Sequence, residues 1–462
     1  MIKILYIARK VLSYKTLDLL CLTSICFVLI YELPATAIAQ IGASFGMFET
    51  GDFYVFRLKF SAFAIGVTSL NILVNHRYLF RNRFFLLYLF FFTYMLAIIW
   101  FNRELYGLEA RGSDPVMVSA PEFFFPILFQ YTIFFLVGLY LPRLAKSYAL
   151  LLSCLFIIFF MVVTHINLET LSLDRESYID SSYLGNYLFL GDATSIIALI
   201  CIAFLRNIKA KIILTVLSAV ALFFIGSRTS FAAFVGTTGL FYIMSFKPRY
   251  LAIAAICFIA AGVWLSSNFD ELAERNPRMF GVVSDFEDDN SVAGRKVLSE
   301  HGWQDIRNNP IMGNFGGQLS FSSLDHKNDV GWRSYMHDVF SYWRQFGIIA
   351  FIIIVAFVVR CLTKLSKYSN LRNQRVFALH FLICIFIIVE AAFSRSFNFT
   401  YVHIFFGLTV AMSHTLVPEN KLRSLAFRYY YYPKKQIFSA DRLPRNKRRK
   451  KRKRRSRKKY DY

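Results

Sequence analysis

HRYLFRNRFFLLYLFFFTYMLAIIWF, His76–Phe101, carries three arginines in its first eight residues and then runs for eighteen without a charge. About 20 apolar residues cross a hydrocarbon core of about 30 Å as a helix, and a basic flank marks the cytoplasmic side. The same pattern recurs in both directions along the chain. Apolar runs lie near 17–39, 54–74, 84–101, 121–141, 147–164, 186–205, 210–226, 229–246, 249–267, 346–363, 375–394 and 398–416. Pro34 interrupts the first, which predicts a kink or a re-entrant segment there. No short apolar stretch with a small-residue cleavage site precedes it, so no removable signal peptide is expected.

Loop charge tests the count. The N-terminus (Lys3, Arg9, Lys10, Lys15), His76–Arg83, Arg143–Lys146, Arg206–Lys211, Lys247–Arg249 and Lys364–Arg375 are basic, whereas 40–53, 102–120, 165–185 and 268–345 are mixed or acidic. A miscount by one would put basic loops on both sides. The expected fold class is an all-α polytopic membrane protein with about 12 transmembrane helices. One large outer-face loop, 268–345, lies between helices 9 and 10, and both termini are cytoplasmic.

Composition agrees. The 462 residues are 56% hydrophobic and 18% aromatic, with 51 Phe and only 18% charged residues. Soluble domains carry about 25% charged residues. A cytosolic enzyme, a secreted disulfide scaffold and a disordered protein are excluded. Residues 419–462 hold 19 Lys/Arg against 3 Asp/Glu, a net +16 of the chain's +24, and leave +8 for the rest. The charge belongs to a tail and gives no reason to expect nucleic acid as a partner. Two domains follow: a transmembrane domain, 1–418, and a basic, disordered cytoplasmic tail, 419–462. The seven cysteines (Cys21, Cys26, Cys154, Cys201, Cys257, Cys361, Cys384) fall in or beside apolar runs with no CxxC spacing, so neither a disulfide framework nor a zinc site is proposed.

Loop 268–345 has the signals of a folded piece. Asp285–Asp289, Asn308–Pro310, Gly313, Gly316 and Gly317 mark turns. Between them Val292–Arg307 predicts a helix with Ser291 as N-cap, and Met336–Phe346 predicts another that runs into the tenth span.

Three residues could carry chemistry. The turn GSRTS, Gly226–Ser230, joins two spans on the same face as the loop and puts the Arg228 guanidinium at the membrane boundary. Read alone, Arg228 also fits a side chain that reaches out to lipid phosphate. Arg295 falls in the first turn of the predicted helix, where free amides favour an anion. Two planar guanidinium forks and a helix N-terminus suit a pyrophosphate. Arg295 equally balances the acidic run Asp285–Asp289, and Arg307 and Arg333 are lesser alternatives. His337, followed by Asp338, stands at the rim of the tenth span, and a neutral imidazole with a pKa of about 6.5 can take a proton from a hydroxyl. It could instead be satisfied by a neighbouring carbonyl, and His301 and His326 are rivals. Asp285, Glu287, Asp288 and Asp289 could hold a hard cation but lack EF-hand spacing, so no metal and no cofactor is expected.

Together these residues resemble the O-antigen polymerase/O-antigen ligase family of bacterial envelope enzymes. The order matches: the GSRTS turn, two further spans, then a loop with Arg295, Trp303, Ile306, NPIMGNFG (Asn309–Gly316) and His337, before FGIIAF (Phe346–Phe351) opens the next helix. The resemblance covers roughly 186–360. Two departures stand out: Asp338 occupies a position where the family often has Asn, and YLGNYLFLGD (Tyr183–Asp192) replaces a frequent Gly-Asn-Pro-Asn turn. The resemblance implies a glycosyltransferase of the bacterial inner (plasma) membrane that acts without metal and with inversion. Its donor is a polyprenyl-pyrophosphate-linked oligosaccharide, and its acceptor is a glycan hydroxyl. Arg228 and Arg295 would bind the pyrophosphate and stabilise the charge on the leaving group, and His337 would orient or deprotonate the acceptor.

With no dedicated acceptor domain in view, the reading leans to a polymerase of O-antigen, capsule or exopolysaccharide repeats. The alternative is a ligase that delivers the glycan to lipid A core or to a protein. A transporter or flippase of lipid-linked glycans shares the twelve-span layout, but its ionisable residues would sit at mid-span rather than at outer helix ends. Further partners are the lipid bilayer, anionic inner-leaflet lipid for the tail, a chain-length regulator and a flippase.

Overall fold

The computed structural model describes residues 66, 69, 79–111, 114–142, 148–164, 166–173, 187–245, 263, 266–276, 279–280, 290–320, 336–371, 374–394, 397 and 399–415. Helices follow the apolar runs: α1 (Arg83–Phe101), α2 (Ala120–Tyr140), α3 (Tyr148–Thr164), α4 (Tyr187–Phe204), α5 (Ile208–Ile225), α6 (Arg228–Ser245), α9 (Phe340–Lys367), α10 (Arg375–Phe393) and α11 (Tyr401–Thr415). Between α6 and α9 lie α7 (Phe269–Arg275) and α8 (Asn290–Asn308). Five of these helices, α1, α2, α5, α9 and α10, are long and apolar enough to cross a membrane, and α3, α4 and α11 contain shorter apolar stretches. The protein is a helical membrane protein. The expected spans 17–39, 54–74 and 249–267 lie outside the described residues, isolated positions apart. So does the second unit of the chain, Leu416–Tyr462, with the basic tail.

Two antiparallel hairpins add strand to the expected all-helical fold. Strands β1 (Tyr106–Arg111) and β2 (Asp114–Ser119) pair with Tyr106 opposite Ser119, and β3 (Ile166–Asn167) pairs with β4 (Ser172–Leu173). β2 leads directly into α2. There the Ser119 amide donates to Glu122 Oε2 at 3.0 Å, and Pro121 occupies the first turn, where its missing N–H costs nothing.

The helices sort by how much of their circumference is apolar and enclosed. α4 is buried on all sides from Gly191 to Phe204, and α11 from Tyr401 to Met412, so these two form the centre. α1 and α5 are peripheral: Leu89 and Phe90, and Ile213 and Val216, remain exposed, as side chains facing lipid do. α2 and α11 cross at glycines. A Cβ on Gly138 would strike the Ile404 carbonyl oxygen, and one on Gly407 would strike that of Phe135. Lipid tails are as apolar as leucine, so close backbone approach is what holds such helices together.

Several polar groups inside the bundle are paired. Tyr131 Oη donates to the Phe397 carbonyl at 2.6 Å, Tyr88 Oη lies 3.1 Å from His403 Nδ1, and the Tyr131 ring stacks on His403 at 3.8 Å. These contacts tie α1, α2 and α11 where water cannot substitute for a lost partner.

Candidate active site

The turn that carries Arg228 is built by small residues. Gly226 ends α5 with φ 75° and ψ 22°, a left-handed conformation that glycine adopts at no steric cost, and its amide reaches the Leu222 and Phe223 carbonyls. Arg228 is then the first residue of α6 and is half-buried. Ser227 and Ser230 share a hydrogen bond of 2.7 Å between their Oγ atoms, and Ser230 Oγ donates to Asp192 Oδ1 at 2.7 Å. A Cβ on Gly191 would lie 2.5 Å from Ser227 Cβ, so only glycine lets the turn seat on α4. A cation at a helix N-terminus opposes the backbone dipole. The buried Asp192 carboxylate offsets that locally, and an anionic ligand would do the same.

Helix directions place this turn at the loop end of the bundle. Phe241, near the end of α6, meets Phe381, near the start of α10, with ring centroids 6.0 Å apart, so the two helices run antiparallel. The start of α6 and the end of α10 therefore reach the same end. Just past α10, Phe397 contacts Phe124 at 5.7 Å, and Phe124 contacts Phe315 of the loop at 5.2 Å. The near side of the loop is fixed independently. Phe280 lies 5.9 Å from Phe223 in the last turn of α5, and Asn276 Nδ2 donates to the Leu171 carbonyl at 2.7 Å.

Arg295 and His337 belong to a second substructure. α8 begins at Asn290, earlier than the predicted Val292, so Ser291 is inside the helix and Arg295 stands in its second turn rather than its first. Amides of the α8 N-terminus are thus farther from Arg295 than expected. The predicted helix Met336–Phe346 is corrected too: 336–339 form a bend, and α9 starts at Phe340. His337 is half-buried in this bend, directly after Met336, whose side chain is buried against Gly302; a Cβ there would meet Met336 Sδ at 2.7 Å. Gly302 follows Arg295 by seven residues, two turns or about 10.5 Å along the axis, on the same face. One strip of α8 thus connects Arg295 to the bend holding His337, while Arg228 is supported separately by α4.

Asp338 explains its own position. Its Oδ1 accepts from the Phe340 amide at 2.9 Å and caps the start of α9, a bond that the Asn common in the family could also make. Burial pushes this carboxyl above the usual carboxylate range, against amide hydrogen bonds from Phe340 and Ser341 that pull it down.

Sequence reasoning missed what joins α8 to α9. Arg344 is fully buried, and its Nε and Nη2 both lie 2.8 Å from Asp305 Oδ2. Asn314 Nδ2 donates to Asp305 Oδ1 at 2.8 Å, and the Asn314 amide donates to the Arg344 carbonyl at 2.6 Å. Trp343 Nε1 reaches the Pro310 carbonyl at 2.6 Å, and Gln345 Oε1 accepts from the Gly316 amide at 3.1 Å. The NPIMGNFG stretch is therefore a strap whose backbone is bonded to the first turns of α9. Gly347 then breaks α9 with φ 74° and ψ −178°, a conformation reserved for glycine, and the Phe346 carbonyl accepts from Tyr94 Oη at 2.9 Å. The available signal was charge: Asp305 and Arg344 are opposite charges flanking one turn-rich segment.

Residues 213–355 match the family model described as O-antigen ligase. The match covers about a third of the chain and shows that this segment is similar to the O-antigen ligase family. That segment runs from within α5 to within α9 and contains Arg228, Arg295, His337 and the whole strap, as the resemblance implied. No curated protein matches the chain. Among the rival residues, His301 is half-buried and Arg307 exposed on α8, while His326, Arg333 and the acidic run Asp285–Asp289 lie outside the described residues. Among the described residues, no three His, Cys, Asp or Glu side chains group as metal ligands do, and Cys154, Cys201, Cys361 and Cys384 are buried free thiols.

Proposed function

We propose that this protein is a bacterial inner-membrane glycosyltransferase that lengthens surface polysaccharide. It passes a glycan from a polyprenyl-pyrophosphate carrier to a sugar hydroxyl, with the loop end of the bundle on the outer face. The observation that carries this reading is that one segment similar to the O-antigen ligase family contains both the GSRTS turn and the α8–α9 unit. The turn and the unit open at the same end. In the proposed step the acceptor oxygen attacks the anomeric carbon, the bond to the pyrophosphate oxygen breaks, and inversion follows from the single displacement. His337 takes the hydroxyl proton. Arg228 and Arg295 hold the diphosphate as its charge grows, the part that bound cations play in other transferases.

The family description favours a second reading, a ligase. It uses the same chemistry on a different acceptor, lipid A core or a protein.

Purified protein in detergent, given polyprenyl-pyrophosphoryl oligosaccharide alone, separates the two. Elongation of the donor marks a polymerase, while turnover only after lipid A core is added marks a ligase. A chelator is expected to leave the rate unchanged. Arg228→Ala and Arg295→Ala are each expected to lower kcat by roughly 10²–10³, and His337→Ala by roughly 10²–10⁴. Full activity in all three variants would end the assignment, and loss of glycan export without loss of transfer would point to a carrier.

A further inference from the structure

Among the described residues of the loop, two large apolar side chains are exposed. Ile311 and Met312, in the Asn309–Gly313 turn of the strap, are each 65% exposed. The same turn is fixed to the membrane-crossing helix by its backbone. The Ile348 amide donates to the Ile311 carbonyl at 3.2 Å, and a Cβ on Gly347 would lie 2.9 Å from the Met312 carbonyl oxygen.

Immediately below that attachment α9 presents an exposed stripe, Ile349, Ile352, Val355, Val359 and Leu362. Their spacing of three, three, four and three residues keeps them on one side of the helix. In a span this long and apolar, such a stripe faces lipid. Ile311 and Met312 are held at Gly347 and Ile348, next to Ile349, the first residue of the stripe. Trp343 is half-buried beside them, its ring stacked on Phe351 at 5.3 Å and its indole N–H on the Pro310 carbonyl. An indole with an apolar body and an occupied polar tip is typical of the headgroup boundary. On α1, Tyr94 stacks on the exposed Phe90 and donates to the Phe346 carbonyl at the same level.

We propose that the Asn309–Gly313 turn is a membrane foot: Ile311 and Met312 seat in the bilayer at the junction of headgroups and acyl chains, and bilayer lipid is their partner. Because Asp305 and Asn314 lock this turn to α8, the foot sets the height of α8, and with it Arg295, relative to the membrane surface. The inference stands on the geometry of α8, α9 and the strap and does not depend on the glycan reading.

The test reads accessibility and requires no turnover. Ile311→Cys and Met312→Cys are each spin-labelled in the full chain and reconstituted in phosphatidylcholine–phosphatidylglycerol vesicles. Collision rates with lipid-soluble oxygen and with a water-soluble nickel chelate are then compared. Val355→Cys, in the lipid stripe, and Gln304→Cys, exposed on α8, give the two limits, and the unsubstituted chain labelled in parallel gives the background from native thiols. At 311 and 312 the ratio of oxygen to nickel collisions is expected between the two limits, below that at 355, which lies about 12 Å deeper, and at least several-fold above that at 304. A ratio like that at 304 overturns the proposal. Shielding from both reagents overturns it too, since another part of the chain or a second copy would then cover the turn. Both positions are at the surface, and either variant alone decides if the other fails to insert.

Discussion

Asp338 holds its carboxylate on the Phe340 amide in a partly enclosed bend, and burial outweighs the hydrogen bonds in setting its proton affinity. Its folded pKa lies above the unfolded value of about 3.9, so the folded chain binds this proton more tightly. The resulting contribution to stability is fully present at low pH and is lost as pH rises through the folded pKa. Asp338→Asn removes the titration and keeps the cap. Thermal unfolding in detergent from about pH 4 to pH 7 is expected to show the variant gaining on the native chain as pH rises. Parallel profiles would mean that the carboxyl titrates in the fold as it does in the unfolded chain. The same side chain was legible only as a departure from the family's Asn, because its role depends on where α9 starts, four residues after the start of the predicted helix Met336–Phe346.

The α8–α9 unit behaves as one element because an ion pair and a strap close it. Asp305→Ala leaves the Arg344 guanidinium buried without that carboxylate and is expected to cost about 3–5 kcal/mol. In a cycle with Arg344→Met, the double variant recovers part of this loss; strict additivity in unfolding measurements would deny the coupling. Gly347→Ala tests the break in α9. The new Cβ would meet the Ile311 carbonyl oxygen, and alanine avoids this φ, so unfolding at lower temperature is expected along with proteolysis of the strap. A variant as stable as the native chain would show that the strap can retreat.

At this scale the sequence was a good guide to length and a poor one to contact. The runs read at 84–101 and 375–394 became Arg83–Phe101 and Arg375–Phe393, because the bilayer sets how long an uncharged helix must be. The run read at 346–363 became Phe340–Lys367, because α9 begins in residues that pack on the loop and are only half apolar. The hairpin Tyr106–Ser119 was read as plain loop. No periodicity could reveal that Asp305 faces Arg344, thirty-nine residues away, or that Asp192 supports the turn of Arg228.

For the whole molecule, the side of the membrane on which each loop lies, read from loop charge, stands as a proposal. The basic residues 419–462 lie outside the described structure and stand as a proposal: an anchor on anionic inner-leaflet lipid, worth about 1 kcal/mol per basic residue near the surface. A chain ending at Pro418 is expected to insert normally and to keep its transfer rate per inserted molecule, while losing its preference for anionic vesicles. Loss of transfer with normal insertion would assign the tail a part in the reaction.

The crossing of α2 and α11 carries one more consequence. Where Gly138 and Gly407 meet, the two backbones touch, and no hydrocarbon chain can thread between them. This pair is a keel rather than a doorway. If the donor is the proposed polyprenyl carrier, its isoprenoid would berth along some other flank of the protein, and enlarging either glycine would pry the keel open without creating a route.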